Sequence, residues 1–141
     1  MSHIEWRRDK RRILLPILIL APFPVTELIG VDAMALVDTG SSVSGVSAKL
    51  AEDLQLSRLG KRPLTSAQGE GQVERYAFRV GLRAERADNN PAFPFVFTEV
   101  IGIELTNAFA FNALLGMDIL GQCDFSTMRN GECRLEFGQS T

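Results

Sequence analysis

The chain has 141 residues, of which 45% are hydrophobic and 23% are charged, a composition that excludes disordered and fibrous proteins and indicates one globular domain. The formal net charge of -2 gives no overall attraction to nucleic acid. The two cysteines are too few for a disulfide framework, so we interpret both as reduced thiols, which favours a cytoplasmic location.

The N-terminal end combines a basic cluster with an apolar run at residues 13–20. This order imitates a signal peptide, but prolines interrupt the apolar stretch, and it is shorter than the roughly 20 residues that a membrane-spanning helix needs. We therefore predict a solvated basic arm at residues 1–12, which holds the only histidine, His3, and one domain at residues 13–141. A signal peptide, or contact of the arm with phosphate or a membrane surface, is the weaker alternative.

From residue 13 onward, short runs of β-branched and aromatic residues alternate with turn residues, which predicts an all-β fold. Two short helices are expected, at residues 47–54 with Ser47 as the N-cap and at residues 117–123. A hairpin around Asn130-Gly131 closes the chain and places Cys133 opposite Met128. The predicted strands are residues 13–20, 28–37 with a break near 30–32, 41–46, 63–67, 72–82, 93–103, 124–128 and 133–137, and residues 109–115 lead into Gly116.

The two strands at residues 63–67 and 72–82 are separated by a polar, glycine-bearing segment. Glycine adopts backbone conformations that other residues avoid, so such a segment bends easily. We predict a hairpin that acts as a lid, with Gln68, Gly69, Glu70 and Gly71 at its tip.

Asp38 follows an apolar strand and precedes Thr39, Gly40 and two serines. The strand would hold the carboxylate rigidly, Gly40 would let the backbone pass close to it, and Thr39 could tie two such loops together. Two carboxylates about 3 Å apart share a proton, so one accepts a proton from water while the other donates to a carbonyl oxygen. Asp-Thr-Gly alone is also compatible with a simple capped turn, because it occurs by chance in roughly 3% of chains of this length.

The strand into Asp38-Thr39-Gly40, the glycine-tipped hairpin, and Leu114-Leu115-Gly116 before a short helix together resemble the retropepsin-like aspartic proteases. The resemblance implies a closed β-barrel protomer with a flap, a two-fold homodimer, a peptide or protein substrate, and no cofactor or metal. It assigns catalysis to Asp38, Thr39 and Gly40. It assigns substrate binding to Ser41, Ser42, Gln68, Gly69, Glu70 and Gly71, and support of the catalytic loop to Leu115, Gly116 and Asp118.

The sequence departs from the viral members of that family at two places. Ser41 and Ser42 give the Asp-Thr-Gly-Ser-Ser form of the two-lobed pepsins, where viral relatives usually carry Ala and Asp. Met117 stands where the viral enzymes carry an Arg that ties the dimer together. No other aspartate is followed by Thr-Gly or Ser-Gly, so if the chain is a protease of this type, we expect the second catalytic aspartate to come from a second copy of the chain.

Three other functions were weighed against proteolysis. The same barrel could be an inactive dimerisation or peptide-binding module, but binding alone has no need of a paired acid. A serine or cysteine hydrolase lacks a histidine base within the predicted domain. A metal site at Asp38 and Asp118 has no dense run of acidic residues to support it.

Overall fold

A computed structural model describes residues 2–66, 69–84, 94–106 and 110–138. Strands dominate this part of the chain, and the two helices within it are short, as the sequence predicts. The elements in chain order are β1 Ser2–Arg7, β2 Leu14–Leu20, β3 Val31–Val37, β4 Gly45–Ser47, α1 Ala48–Asp53, β5 Arg58–Ser66, β6 Gly69–Leu82, β7 Phe95–Leu105, β8 Ala113–Leu115, α2 Met117–Leu120, β9 Asp124–Thr127 and β10 Glu132–Phe137.

Six strands form a closed barrel in the order β2-β3-β8-β4-β7-β6, and pairing of β6 with β2 closes it. The neighbours β3 and β8, and likewise β4 and β7, run parallel, whereas the other pairs are antiparallel. Strand β5 pairs with β6 outside the closed ring. The predicted all-β fold with a closed barrel is therefore confirmed, and the β5–β6 hairpin extends from it.

The barrel interior is filled by alternate residues of the strands. In β3, for example, Ala33, Ala35 and Val37 are buried, whereas Asp32 and Met34 are exposed. This alternation with a period of two is what the pleat of a strand dictates, and each large apolar side chain that it buries contributes about 1.5–3 kcal/mol. The largest fully buried apolar side chains are Leu15, Ile19, Leu20, Phe78, Leu82, Leu115, Ile119, Leu135 and Phe137.

The expectation of a solvated arm is wrong for residues 2–7. These residues form β1, which pairs with β10 over its whole length, and β9 lies on the other side of β10. Ile4 is buried in the core, while the outward-facing residues form opposite-charge pairs across the two strands. These pairs are Glu5 with Arg134 and Arg7 with Glu132, and such pairs favour the observed register.

Several predicted boundaries also need correction. Strand β3 begins only at Val31. The chain before it includes a loop at residues 21–27, where the buried Arg79 donates hydrogen bonds to the carbonyl groups of Ala21, Pro24, Val25 and Glu27. Residues 41–44 are a loop rather than the start of an extended strand, and α2 ends at Leu120. Cys133 lies opposite Thr127, because Gly131, at φ 99°, adds a residue to the turn.

The other predicted elements agree with the structure. Helix α1 begins after Ser47, whose hydroxyl accepts a hydrogen bond from the Leu50 N–H, as an N-cap should. The closing hairpin is formed by β9 and β10. Both cysteines are free thiols. Within the described ranges, neither helix has the length and apolar character needed to cross a bilayer.

Candidate active site

Asp38 lies at the end of β3, where the chain leaves the barrel wall. Its backbone N–H donates to the Leu115 carbonyl at 2.9 Å and so extends the parallel pairing of β3 and β8 by one residue. Its side-chain Oδ1 accepts a hydrogen bond of 2.9 Å from the Gly40 N–H, and its carbonyl accepts one of 3.2 Å from the Ser41 N–H. Backbone hydrogen bonds therefore hold the main chain of Asp38 on both sides, and another, from Gly40, holds one oxygen of its half-buried carboxylate.

The turn after Asp38 depends on a glycine. A Cβ atom at Gly40 would lie 3.2 Å from Asp38 Oδ1, closer than most side-chain contacts. Thr39, Gly40 and Ser42 are exposed, whereas Ser41 is half-buried and its hydroxyl donates to the Val43 carbonyl at 2.7 Å. In the single chain, the Ser41 hydroxyl thus braces the loop, and Thr39 and Ser42 are accessible at its surface.

Gly116 packs directly against the backbone of this loop. A Cβ at Gly116 would lie 2.4 Å from the Val43 carbonyl oxygen and 2.9 Å from that of Ser41, so no larger residue fits without moving the loop. The Met117 N–H donates to the Ser41 carbonyl at 2.7 Å. The start of α2 and the Asp38 loop are therefore in direct backbone contact.

Ser44 is a residue of this site that the sequence analysis did not identify. It is fully buried, its hydroxyl donates to Asp118 Oδ1 at 2.7 Å, and its N–H donates to Asp118 Oδ2 at 3.0 Å. The same hydroxyl accepts a hydrogen bond of 3.1 Å from the Gly116 N–H. Asp118 thus holds the far end of the Asp38 loop with both oxygens. A serine inside the apolar stretch 43–46 was the signal available in the sequence.

An apolar wall of three leucines lies on the outer face of the barrel, at the strand position two residues before Asp38. Leu36 and Leu114 are paired in register across β3 and β8, and Leu14 pairs with Leu36 from β2. All three are half-buried, whereas their neighbours Ala35, Val37, Ala113 and Leu115 face the core. Because side chains two residues apart lie on the same face of a strand, Leu36 shares the face of Asp38. In the sequence these leucines belong to apolar runs and cannot be told apart from core residues.

The two strands of the flap hairpin are longer than the sequence predicts. Ser66 pairs with Gly69, so Gly69, Glu70 and Gly71 belong to β6, and Gln68 lies outside the described residues. Gly69 has φ 116°, a conformation that favours glycine, and a Cβ at Gly71 would meet no atom within 4 Å. Of the four predicted binding residues of the flap, Gly69, Glu70 and Gly71 are thus placed on its return strand.

Cys123 and Asp118 are poorly suited to other chemistries. Burial raises the pKa of Cys123 to about 11, so its thiol is protonated near neutral pH and is a weak nucleophile. Both oxygens of Asp118 accept hydrogen bonds from Ser44. Of the two aspartates described at this loop, Asp38 is therefore the one whose carboxylate stays accessible.

The family model for gag-polyprotein putative aspartyl proteases matches residues 26–122, more than half of the chain. The matched segment contains Asp38, its loop, the β5–β6 hairpin and Asp118. The chain belongs to this family. A search of the curated proteins found no match.

Solved structures of two proteases share the fold of this chain. A retropepsin-like aspartic protease from Rickettsia conorii superposes with a TM-score of 0.65 at 17% identity, covering 96% of this chain and 91% of that one. The EIAV protease, solved with the inhibitor HBY-793, gives a TM-score of 0.51 at 15% identity, with coverages of 82% and 91%. At these identities the likeness concerns the fold, and the chain has the retropepsin-like β-barrel.

Proposed function

We propose that the chain is one protomer of a homodimeric aspartic endopeptidase, in which the Asp38 carboxylates of two copies activate a water molecule. The observation that carries the proposal is the placement of Asp38, half-buried on a loop fixed by Gly40 and Leu115, in a chain of an aspartyl protease family. A single carboxylate of this kind is a poor catalyst for amide hydrolysis. A pair that shares one proton supplies both an acid and a base.

The reaction follows from that shared proton. The ionised carboxylate takes a proton from water as the water oxygen bonds to the carbonyl carbon of the peptide, and the other carboxyl donates its proton to the carbonyl oxygen. The tetrahedral intermediate then collapses. The aspartate that took the proton from water donates it to the amine as the C–N bond breaks, and the other aspartate, now ionised, takes back a proton from a hydroxyl of the intermediate. The products are a new carboxyl terminus and a new amine, and both aspartates return to their starting state.

The second aspartate is best supplied by another copy of the chain. Asp118, the other acidic residue close to the loop, is already engaged by Ser44. In the described part of the chain, β1 and β9 each have one neighbouring strand, so the β1-β10-β9 sheet has two edges at which another strand can pair. A two-fold axis that pairs such an edge with its own copy would give a closed dimer.

The substrate class follows from the surroundings of Asp38. Leu14, Leu36 and Leu114 form the apolar wall at the strand position two residues before Asp38, which suits apolar side chains next to the scissile bond. The two-stranded flap offers backbone groups to which an extended peptide could bind by strand pairing. An unfolded protein with apolar segments is therefore the appropriate test substrate.

Cleavage of a denatured protein at about pH 4 to 6 tests the proposal. We expect fragments with the wild-type chain and none with Asp38→Asn or in the presence of a pepstatin-type inhibitor. Asp32→Asn is the matched control, because Asp32 lies on the same strand but is exposed and pairs with Arg83. Fragments that persist in Asp38→Asn would exclude this chemistry. A dimer that binds peptides without cleaving them would identify the binding-module alternative instead.

A further inference from the structure

The flap leaves the barrel at a sharply defined point. Residues 75–82 of β6 pair with β7, whereas residues 69–74 of β6 pair with β5. Exposure changes at the same place, since Arg62 and Gln72 are exposed and Tyr76 and Phe78 are buried. Beyond Glu74 the hairpin is thus a two-stranded ribbon, which is marginally stable by itself.

A bulge interrupts the hairpin at this exit point. Arg58 pairs with Tyr76, but the next pair is Lys61 with Glu74, so Leu59 and Gly60 both lie opposite Arg75. Gly60 has φ 94°, in the region that favours glycine, and a Cβ there would meet no atom within 4 Å. A bulge bends a strand locally and leaves backbone groups without ladder partners.

Two consecutive side chains of β6 bind the backbone groups of this bulge. Glu74 Oε1 accepts a hydrogen bond of 2.8 Å from the Gly60 N–H. Arg75 donates from Nε to the Gly60 carbonyl and from Nη2 to the Leu59 carbonyl, both at 3.3 Å. Successive residues of a strand lie on opposite faces, so the bulge is held from both faces of the hairpin.

The hydrogen bonds of Glu74 and Arg75 together form a clamp on the bulge. The Glu74 contact is the stronger part of this clamp. Only 8% of Glu74 is exposed, whereas Arg75 is half-buried and its hydrogen bonds are longer. A hydrogen bond to a charged acceptor that is shielded from water is worth more than an exposed one. The angle at which the flap leaves the barrel therefore depends mainly on the hydrogen bond between the Glu74 carboxylate and the Gly60 N–H.

We propose that Glu74 is a positioning residue for the flap: with Arg75 it fixes the bulge at Leu59-Gly60, about which the ribbon beyond it moves as one unit. The structural part of this inference is independent of catalysis, whereas its kinetic part rests on the proposed function. Loss of the clamp releases the ribbon while the barrel stays folded, because residues 75–82 keep their pairing with β7.

Amide hydrogen exchange in the whole chain tests the structural part without any need for activity. We expect Glu74→Ala to raise exchange about tenfold at residues 61–66 and 69–73, the effect of losing one charge-assisted hydrogen bond, and to leave residues 75–82 unchanged. Glu74→Gln keeps an oxygen acceptor and should restore most of the protection. Gln72→Ala, which truncates an exposed side chain on the same strand, controls for truncation alone.

Steady-state kinetics test the consequence for the proposed reaction. A flap that no longer closes at the right angle binds substrate more weakly, so Glu74→Ala should raise KM about fivefold with a smaller change in kcat, and Glu74→Gln should reverse most of the increase. Unchanged exchange in Glu74→Ala, or an equal rise at residues 75–82, would overturn the clamp. If hydrogen exchange changes as expected in Glu74→Ala and Glu74→Gln, but neither the wild type nor any variant cleaves the substrate, the result would count against the proposed function alone.

Discussion

The hydroxyl of Ser44 donates a hydrogen bond of 2.7 Å to Asp118 Oδ1, and this contact joins the loop that carries Asp38 to the first turn of α2. Ser44 is fully buried and makes three hydrogen bonds in this region, two to Asp118 and one from the Gly116 N–H. The Asp38 loop is thereby fixed at both ends, by β8 at its start and by Asp118 at its finish.

Ser44→Ala should destabilise the chain and loosen the Asp38 loop. The substitution removes a donor from a carboxylate and the acceptor of the Gly116 N–H, so we expect the free energy of unfolding to fall by about 2–3 kcal/mol. Urea denaturation measures the change. Ser42→Ala is the control, since Ser42 is exposed on the same loop, and it should stay within about 0.5 kcal/mol of the wild type. Equal effects of the two substitutions would contradict this role of Ser44.

Gly116→Ala should displace the Asp38 loop, because the added Cβ would collide with the backbone of the loop. The added Cβ would lie 2.4 Å from the Val43 carbonyl oxygen, and that oxygen belongs to the backbone and has no rotamer by which to move away. We expect a loss of at least about 2 kcal/mol in the free energy of unfolding. Gly71→Ala introduces the same methyl where no atom lies within 4 Å, and should change stability much less. Thermal unfolding of both variants compares them directly.

The features that the sequence analysis predicted correctly are mostly local in the chain. The N-cap at Ser47 and the closing hairpin depend on residues within a few positions of each other. The position of Asp38 after an apolar strand is local too, and it led to the family. These patterns can be read without knowing which distant segments meet.

What the sequence analysis missed depends on contacts between distant segments. Ser44 and Asp118 are 74 residues apart, so nothing beside either residue indicates that they bond. The pairing of β1 with β10 joins the two ends of the described chain. In the sequence, Ile4 and Trp6 alternate with polar residues as in a strand, but the basic residues that follow suggested a solvated arm instead. Strand pairing of this kind is set by tertiary packing, which overrides local composition.

The stability of the β1-β10-β9 sheet should decrease in acid. Arg134 Nε donates to Glu136 Oε1 at 2.7 Å, and this hydrogen bond holds the pKa of Glu136 below its ordinary value of 4.5. A carboxyl whose pKa is lowered by folding stabilises the folded state above its unfolded pKa, and that contribution is lost as the pH falls through the folded pKa. The cleavage assay at about pH 4 to 6 therefore approaches the range in which this pair begins to weaken.

Glu136→Gln tests that dependence. We expect the variant to unfold at a lower temperature than the wild type at about pH 6, where the carboxylate is ionised. The difference should shrink at an acid pH well below the ordinary value of 4.5, as the pH falls through the lowered pKa of Glu136 and its side chain becomes neutral. Glu52→Gln is the control, because Glu52 is exposed on α1. A difference in midpoint that is the same at both pH values would show that the ionised carboxylate is not the source of the effect.

Subunit mixing tests whether each active site needs Asp38 from two copies of the chain. Wild-type chain is mixed with an equal amount of ¹⁵N-labelled Asp38→Asn chain and left until subunits have exchanged, which native mass spectrometry can follow because the label separates the masses of the dimers. Random pairing leaves one quarter of the dimers with two aspartates, so the same quantity of wild-type chain should lose about half of its activity. An equal mass of albumin should cause no loss. If activity is undiminished although heterodimers have formed, one aspartate per dimer is sufficient, and the paired-carboxylate mechanism is wrong for this protein.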